Sequence, residues 1–158
     1  MSDLSPAVIL VVDDDEMLRE VLEAYLTGSG YSVLLASSGE KALEITEKTP
    51  PDLILLDARL SGMSGYEVCK RLRAAETTRK IPVVMVTALD DDDDKKRAID
   101  AGIDDFVRKP FDSIVMLHRI KVLLRAKRTL DTLQLVLKRH VSEATAAAIW
   151  QDLRELLD

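Results

Sequence analysis

Five short apolar runs, separated by stretches of helical periodicity, restrict what this chain can fold into more than any other feature of its sequence. The runs fall at residues 8–12, 32–36, 52–56, 82–86 and 104–107. A half-buried strand alternates polar and apolar residues, whereas Val8-Ile9-Leu10-Val11-Val12 and Leu53-Ile54-Leu55-Leu56 are apolar throughout, as expected of strands covered on both faces. The intervening segments read as helices at about 16–27, 38–47, 64–74 and 91–101, with Gly28, Gly30 and Gly102 placed as stops. Strands alternating with helices of that length predict an α/β fold with a parallel sheet. No internal repeat is present.

Four polar landmarks stand at the ends of these runs. Asp13 and Asp14 follow the first, Asp57 the third, Thr87 the fourth and Lys109 the fifth. In a parallel sheet all carboxyl ends lie on one edge, so residues spread over nearly a hundred positions converge in one crevice. Right-handed crossovers and an acidic edge after strands one and three favour the doubly wound strand order 2-1-3-4-5. Three crowded carboxylates repel one another, and a hard divalent cation resolves the conflict by taking oxygen ligands. With a hydroxyl and an ammonium beside them, they form the equipment for holding Mg²⁺ and moving a phosphoryl group.

Composition agrees. At 158 residues the chain can bury one core and has length to spare. Its net charge of −6 is uneven: residues 1–120 carry 15 Lys/Arg against 23 Asp/Glu, and residues 121–158 carry 7 against 5. An acidic body argues against nucleic acid as a direct ligand. The single cysteine, Cys69, excludes an internal disulfide, and no signal peptide or long apolar span is evident, so a cytoplasmic location and no membrane partner are expected.

The landmarks, with Val12-Asp13-Asp14, Leu60-Ser61-Gly62-Met63-Ser64-Gly65, Val86-Thr87-Ala88 and Lys109-Pro110-Phe111, resemble the response regulator receiver (CheY-like) domain of two-component systems over roughly the first 125 residues. The resemblance implies a flavodoxin-like five-stranded sheet. It also implies Asp57 as phosphoacceptor, Asp13 and Asp14 as the acidic pair, Thr87 as switch hydroxyl, Phe106 as switch aromatic and Lys109 as phosphate-binding lysine, placed by a cis Lys109–Pro110 peptide bond. Mg²⁺ would be held directly by Asp14 and Asp57, through water by Asp13, and by the backbone carbonyl of Arg59. The donor would be a phosphohistidine on a sensor histidine kinase or phosphotransfer protein, and the only enzymatic activity would be self-catalysed phosphotransfer and dephosphorylation. Arg59 and Leu89 would flank the path of the hydrolytic water.

Each landmark also has a structural explanation. Asp13–Asp15 could be a solvated turn and helix start, Thr87 a strand end, Lys109-Pro110 loop punctuation and Phe106 core. The run 90–94 reads as a solvated acidic helix start, not a second metal site. His118 and His140 are assigned to neither catalysis nor metal binding. A rival enzyme reading is a haloacid-dehalogenase-type phosphatase with Asp13 as nucleophile and Asp15 as acid/base, which leaves Asp57 without a role.

The remaining length is helical. From Asp112 the pattern runs to about Arg139, roughly 40 Å at 1.5 Å per residue. Leu123, Ala126, Leu130, Leu133, Leu137 and His140 form a seam in steps of three and four. After Val141, Ser142 can cap a second helix with Ala146, Ile149, Trp150, Leu153 and Leu157 on one face. Residues 137–158 resemble the linker before class III adenylate/guanylate cyclase domains, with Glu143 where a proline is common. The expected organisation is a receiver at 1–122 and, at 123–158, a helical or coiled-coil linker to an output domain, dimerising through the helix. The alternatives are a helix folded back on its own chain and a free-standing receiver that acts by protein contact.

Overall fold

The computed structural model describes residues 5–88, 91–140 and 143–157. Leu89, Asp90, Val141 and Ser142, and the side chain of Ala146, lie outside the described residues. The chain divides into two compact units, Met1–Lys121 and Val122–Asp158.

In the first unit the elements run β1 (Val8–Val12), α1 (Glu16–Gly28), β2 (Ser32–Ala36), α2 (Gly39–Lys48), β3 (Leu53–Asp57), α3 (Gly65–Ala74), β4 (Val83–Thr87), α4 (Asp92–Ala101) and β5 (Asp105–Arg108), followed by the start of α5 (Ser113–His140). The sheet is parallel with order β2-β1-β3-β4-β5, the flavodoxin-like arrangement expected. β3, β4 and β5 each start and end one residue later than expected. At two entries an aspartate caps a neighbouring strand: Val8 N–H donates to Asp52 Oδ2 at 2.7 Å and Val83 N–H to Asp104 Oδ2 at 2.8 Å. At the exits, pairing persists through Asp57 opposite Val86 and Thr87 opposite Arg108, so Asp57 and Thr87 are the last strand residues and do not follow the strands.

Alternate strand positions build two cores. Leu10, Val12, Ile54, Leu56, Val83 and Met85 pack with Ala42, Val68, Leu72 and Ala98 of α2, α3 and α4. The opposite set, Ile9, Val11, Leu53, Leu55, Val84 and Val86, is equally buried, as are Leu22 and Leu26 of α1 and Met116 and Ile120 of α5. Side-chain oxygens of Asp15, Ser38, Ser64 and Asp91 accept backbone N–H groups at the starts of α1 to α4, satisfying donors that a helix cannot satisfy internally. Gly102 ends α4 at φ +97° and Gly30 turns the chain at φ +94°. Gly28 is not a stop. It is the last residue of α1, and the Ser29 N–H turns back to Tyr25 and Leu26.

The second unit holds the rest of α5 and α6 (Glu143–Leu157). Gln134, Leu137 and Lys138 of α5 line a groove of about 610 Å³ together with Ala147, Trp150, Gln151 and Arg154 of α6. Within the expected seam Leu130, Leu133 and Leu137 are half-buried, while Ala126 and His140 are exposed. Among the described residues no helix is long and apolar enough to cross a membrane.

Candidate functional site

Strand register gathers the site. Val12 lies opposite Leu56, so the residues that follow them, Asp13 just past β1 and Asp57 at the end of β3, share one level of the sheet edge. Thr87 stands one position beyond Asp57, and the Lys109 N–H donates to the Thr87 carbonyl at 2.8 Å. The Lys109–Pro110 peptide is cis. Behind the acceptor the chain must turn sharply. Gly65 lies so close to the Asp57 carbonyl that a β-carbon there would overlap it, and would lie 2.9 Å from Ala58 Cα.

Carboxylate oxygens of Asp13, Asp14 and Asp57 lie within 4.8 Å of one another. Lys109 Nζ donates to Asp13 Oδ2 and to Asp57 Oδ2, each at 3.1 Å. The second oxygens of both are also engaged, Asp13 Oδ1 by the Asp15 N–H at 2.9 Å and Asp57 Oδ1 by the Arg59 N–H at 3.2 Å. Asp13 and Asp57 are buried and Asp14 is exposed. Burial pushes the Asp57 carboxyl up, and the Asp13 charge adds to this against the opposing pull of Lys109. Burial alone would lower Lys109, but its hydrogen bond to Asp13 and the charge of Asp57 outweigh it and hold the ammonium above its ordinary value. A donor set of carboxylate oxygens, without sulfur or imidazole, suits a hard cation such as Mg²⁺.

The other expected residues are placed as follows. Thr87 is buried, and with Tyr66, Met85, Ala98 and the half-buried Phe106 it lines a narrow gap beside α4. Arg59 is exposed on the loop after the acceptor. Asp91 caps α4, accepting the Asp94 N–H at 2.8 Å, which is the structural role expected of that acidic run. His118 and His140 are exposed. Asp15, the acid/base of the phosphatase reading, is engaged in capping α1, while Asp57, idle in that reading, faces Lys109.

Two contributors escaped the sequence reading. Arg19 of α1 donates through Nη1 to the Asp13 carbonyl at 2.7 Å, and Ser61 donates through its N–H and its hydroxyl to Asp14 Oδ2 at 3.2 and 3.1 Å. Neither residue stands at a strand end, and only the Gly62 that follows Ser61 marks a turn there.

Comparison with known proteins agrees with this geometry. The profile of the response regulator receiver domain matches residues 9–121. The chain is 43% identical over 128 residues to response regulator PleD of Caulobacter vibrioides, covering 81% of this chain but 28% of that protein. It is also 43% identical over 117 residues to the DNA-binding dual master transcriptional regulator RpaA of Synechocystis, covering 74% of this chain and 48% of that one. The chain thus spans less than half the length of these curated relatives. Among solved structures, the receiver domain of sensor histidine kinase PA1611 from Pseudomonas aeruginosa, with magnesium coordinated in its active site cleft, superposes with a TM-score of 0.72. It shares 31% identity, over 76% of this chain and 98% of that one. Sheet order, acidic edge and sequence similarity lead to one conclusion: this chain belongs to the family of response regulator receiver domains, the phosphoacceptor modules that histidine kinases and phosphotransfer proteins address in two-component systems.

Proposed function

We propose that Asp57 accepts a phosphoryl group from a phosphohistidine and that the resulting change is passed to an output. The observation that carries this reading is the pair of Lys109 hydrogen bonds to Asp13 and Asp57, which brings ammonium and acceptor together at the sheet edge. Asp14 and Asp57, with Asp13 through water and the Arg59 carbonyl, would hold Mg²⁺. When bound, that ion supplies charge neutralisation to the incoming phosphoryl oxygens. The Asp57 carboxylate attacks phosphorus in line. The P–N bond breaks with its electron pair passing to the imidazole, and an acyl phosphate forms on Asp57. Lys109 and the Thr87 hydroxyl hold phosphoryl oxygens, and the shift of Thr87 draws Phe106 inward along the gap they share. This biases an equilibrium between two existing conformations and builds no new fold.

Acetyl phosphate with Mg²⁺ should add one phosphoryl group to the chain, mapped to Asp57 by mass spectrometry, and Asp57→Asn should abolish it. Modification persisting at the same level in that variant would refute the assignment.

The second unit supports a role as transmitter. Leu135 and Val136 of α5 and Leu156 and Leu157 of α6 are exposed apolar residues that contact with a second copy of the chain would cover. The output it serves is proposed to be a further domain, with a nucleotide cyclase as the reading of the linker sequence and a DNA-binding module as the precedent among relatives. A cytoplasmic site of action fits the single buried cysteine.

A further inference from the structure

The three carboxylates of the site are not held alike. Lys109 ties down Asp13 and Asp57, one oxygen each, and its described hydrogen bonds do not extend to Asp14. Asp14 is restrained instead by Ser61, whose N–H and hydroxyl converge on the same oxygen, Oδ2, at 3.2 and 3.1 Å. That leaves Oδ1 without a described protein donor. Ser61 lies on the loop that follows the acceptor, four residues beyond Asp57 and 47 positions from Asp14, so the contact joins the segments at the ends of β1 and β3 from which the three carboxylates come.

The loop around Ser61 is held from its far side. Gly62 takes φ +81°, a conformation open to glycine, and the Met63 N–H donates to Glu40 Oε1 of α2 at 3.2 Å. Two residues on, Gly65 is packed against the Asp57 carbonyl. With its flanks fixed in this way, Ser61 presents its donors from a braced turn.

We propose that Ser61 is a positioning residue for Asp14 and thereby sets the affinity of the site for Mg²⁺, taking for the exposed aspartate the part that Lys109 takes for the two buried ones. The inference rests on the reading of Asp13, Asp14 and Asp57 as the Mg²⁺ site. Two donors on Oδ2 restrict the carboxylate to a geometry in which Oδ1 serves the cation. Partners of a ligand in the outer shell act on metal affinity in this way. Ser61 is uncharged, so its loss changes no net charge. Its effect on the ion therefore comes from orientation and hydrogen bonding.

The test is a Mg²⁺ titration of unphosphorylated residues 1–158, followed by amide chemical shifts, for wild type and Ser61→Ala, Ser61→Thr, Ser61→Pro and Asp14→Ala. Ser61→Ala keeps the N–H and should weaken Kd about 10-fold, the lower end of outer-shell effects. Ser61→Thr restores the hydroxyl and should return Kd to within about twofold of wild type. Ser61→Pro lacks both donors and should weaken Kd more than Ser61→Ala. Urea midpoints without Mg²⁺ should be alike for wild type, alanine and threonine variants, which separates positioning from a general loss of stability. Equal or tighter Mg²⁺ binding in Ser61→Ala overturns the proposal, as does failure of threonine to rescue. If wild type shows no Mg²⁺ binding, or Asp14→Ala binds as well as wild type, the underlying metal-site reading fails instead.

Discussion

Asp57 carries a conflict in the metal-free domain. It is an acid with 9% of its side chain exposed, beside the buried Asp13, and a single ammonium serves both. Because burial raises its folded pKa above the unfolded value, the folded chain keeps this proton to a higher pH than the unfolded chain does. The sign follows. As pH rises from the unfolded carboxyl value of about 3.9, the native state is progressively disfavoured until Asp57 is ionised in the fold, and the loss is constant above that point. Asp57→Asn removes the charge and keeps the shape, so without Mg²⁺ it should be more stable than wild type at pH 7 by about 1 kcal/mol. The difference should shrink as pH falls toward 4. Urea denaturation across this range checks it. Adding Mg²⁺ should stabilise wild type by mass action and Asp57→Asn much less. A variant less stable than wild type at pH 7 in chelator would show that the Lys109 hydrogen bond outweighs burial.

The connection between helices and strands on the α3–α4 side depends on Arg73. From the last turn of α3 its guanidinium donates to the carbonyls of Gly102, Arg79 and Ile81 and to the Asp104 carboxylate, at 2.7 to 3.0 Å. One side chain thus ties the α3–β4 loop, the C-terminal cap of α4 and the entry to β5, where Asp104 also receives the Val83 N–H. Several hydrogen bonds from one charged group, with 23% of the side chain exposed, make Arg73→Ala costly by about 2–4 kcal/mol, read as a shifted urea midpoint at unchanged slope. Arg73→Lys should recover less than half of this, because a single ammonium cannot span carbonyls that a planar fork reaches in different directions. Recovery of full stability by lysine would show that charge, and not the fork, is what this junction requires.

Across the chain there are two compact units, Met1–Lys121 and Val122–Asp158, with the chemistry proposed for the first and transmission for the second. In the expected seam Leu137 lines a groove with Trp150 of the same chain, so part of the apolar surface that the sequence offered to a partner is turned toward α6. Leu135, at 49% exposure, Leu156, at 82%, and Leu157, at 63%, are left exposed, and the proposed dimer would cover them. Sedimentation of residues 1–158 should therefore show a dimer, tightened when a beryllofluoride mimic occupies Asp57, whereas residues 1–122 should sediment as a monomer. If both are monomers with and without the mimic, the second unit is no dimerising transmitter and a free-standing receiver gains support.

The sheet order and the gathering of Asp13, Asp57, Thr87 and Lys109 could be read directly from the residues. In a parallel sheet, strand-end position alone converts distance along the chain into proximity, and apolar runs mark where strands end. Helix starts were legible to within a residue for the same kind of reason, since a cap is a local hydrogen bond to the next turn. Contacts that depend on loop conformation left no such trace. The donors that Ser61 gives Asp14 come from a turn shaped by Gly62 and Gly65, and the guanidinium groups of Arg19 and Arg73 reach backbone carbonyls of separate loops from their helices, contacts that no periodicity encodes. The seam of α5 illustrates the same limit. Its spacing shows that one face is apolar, but which surface covers Leu137 is settled by where α6 lies, a choice between partners that only packing in three dimensions makes.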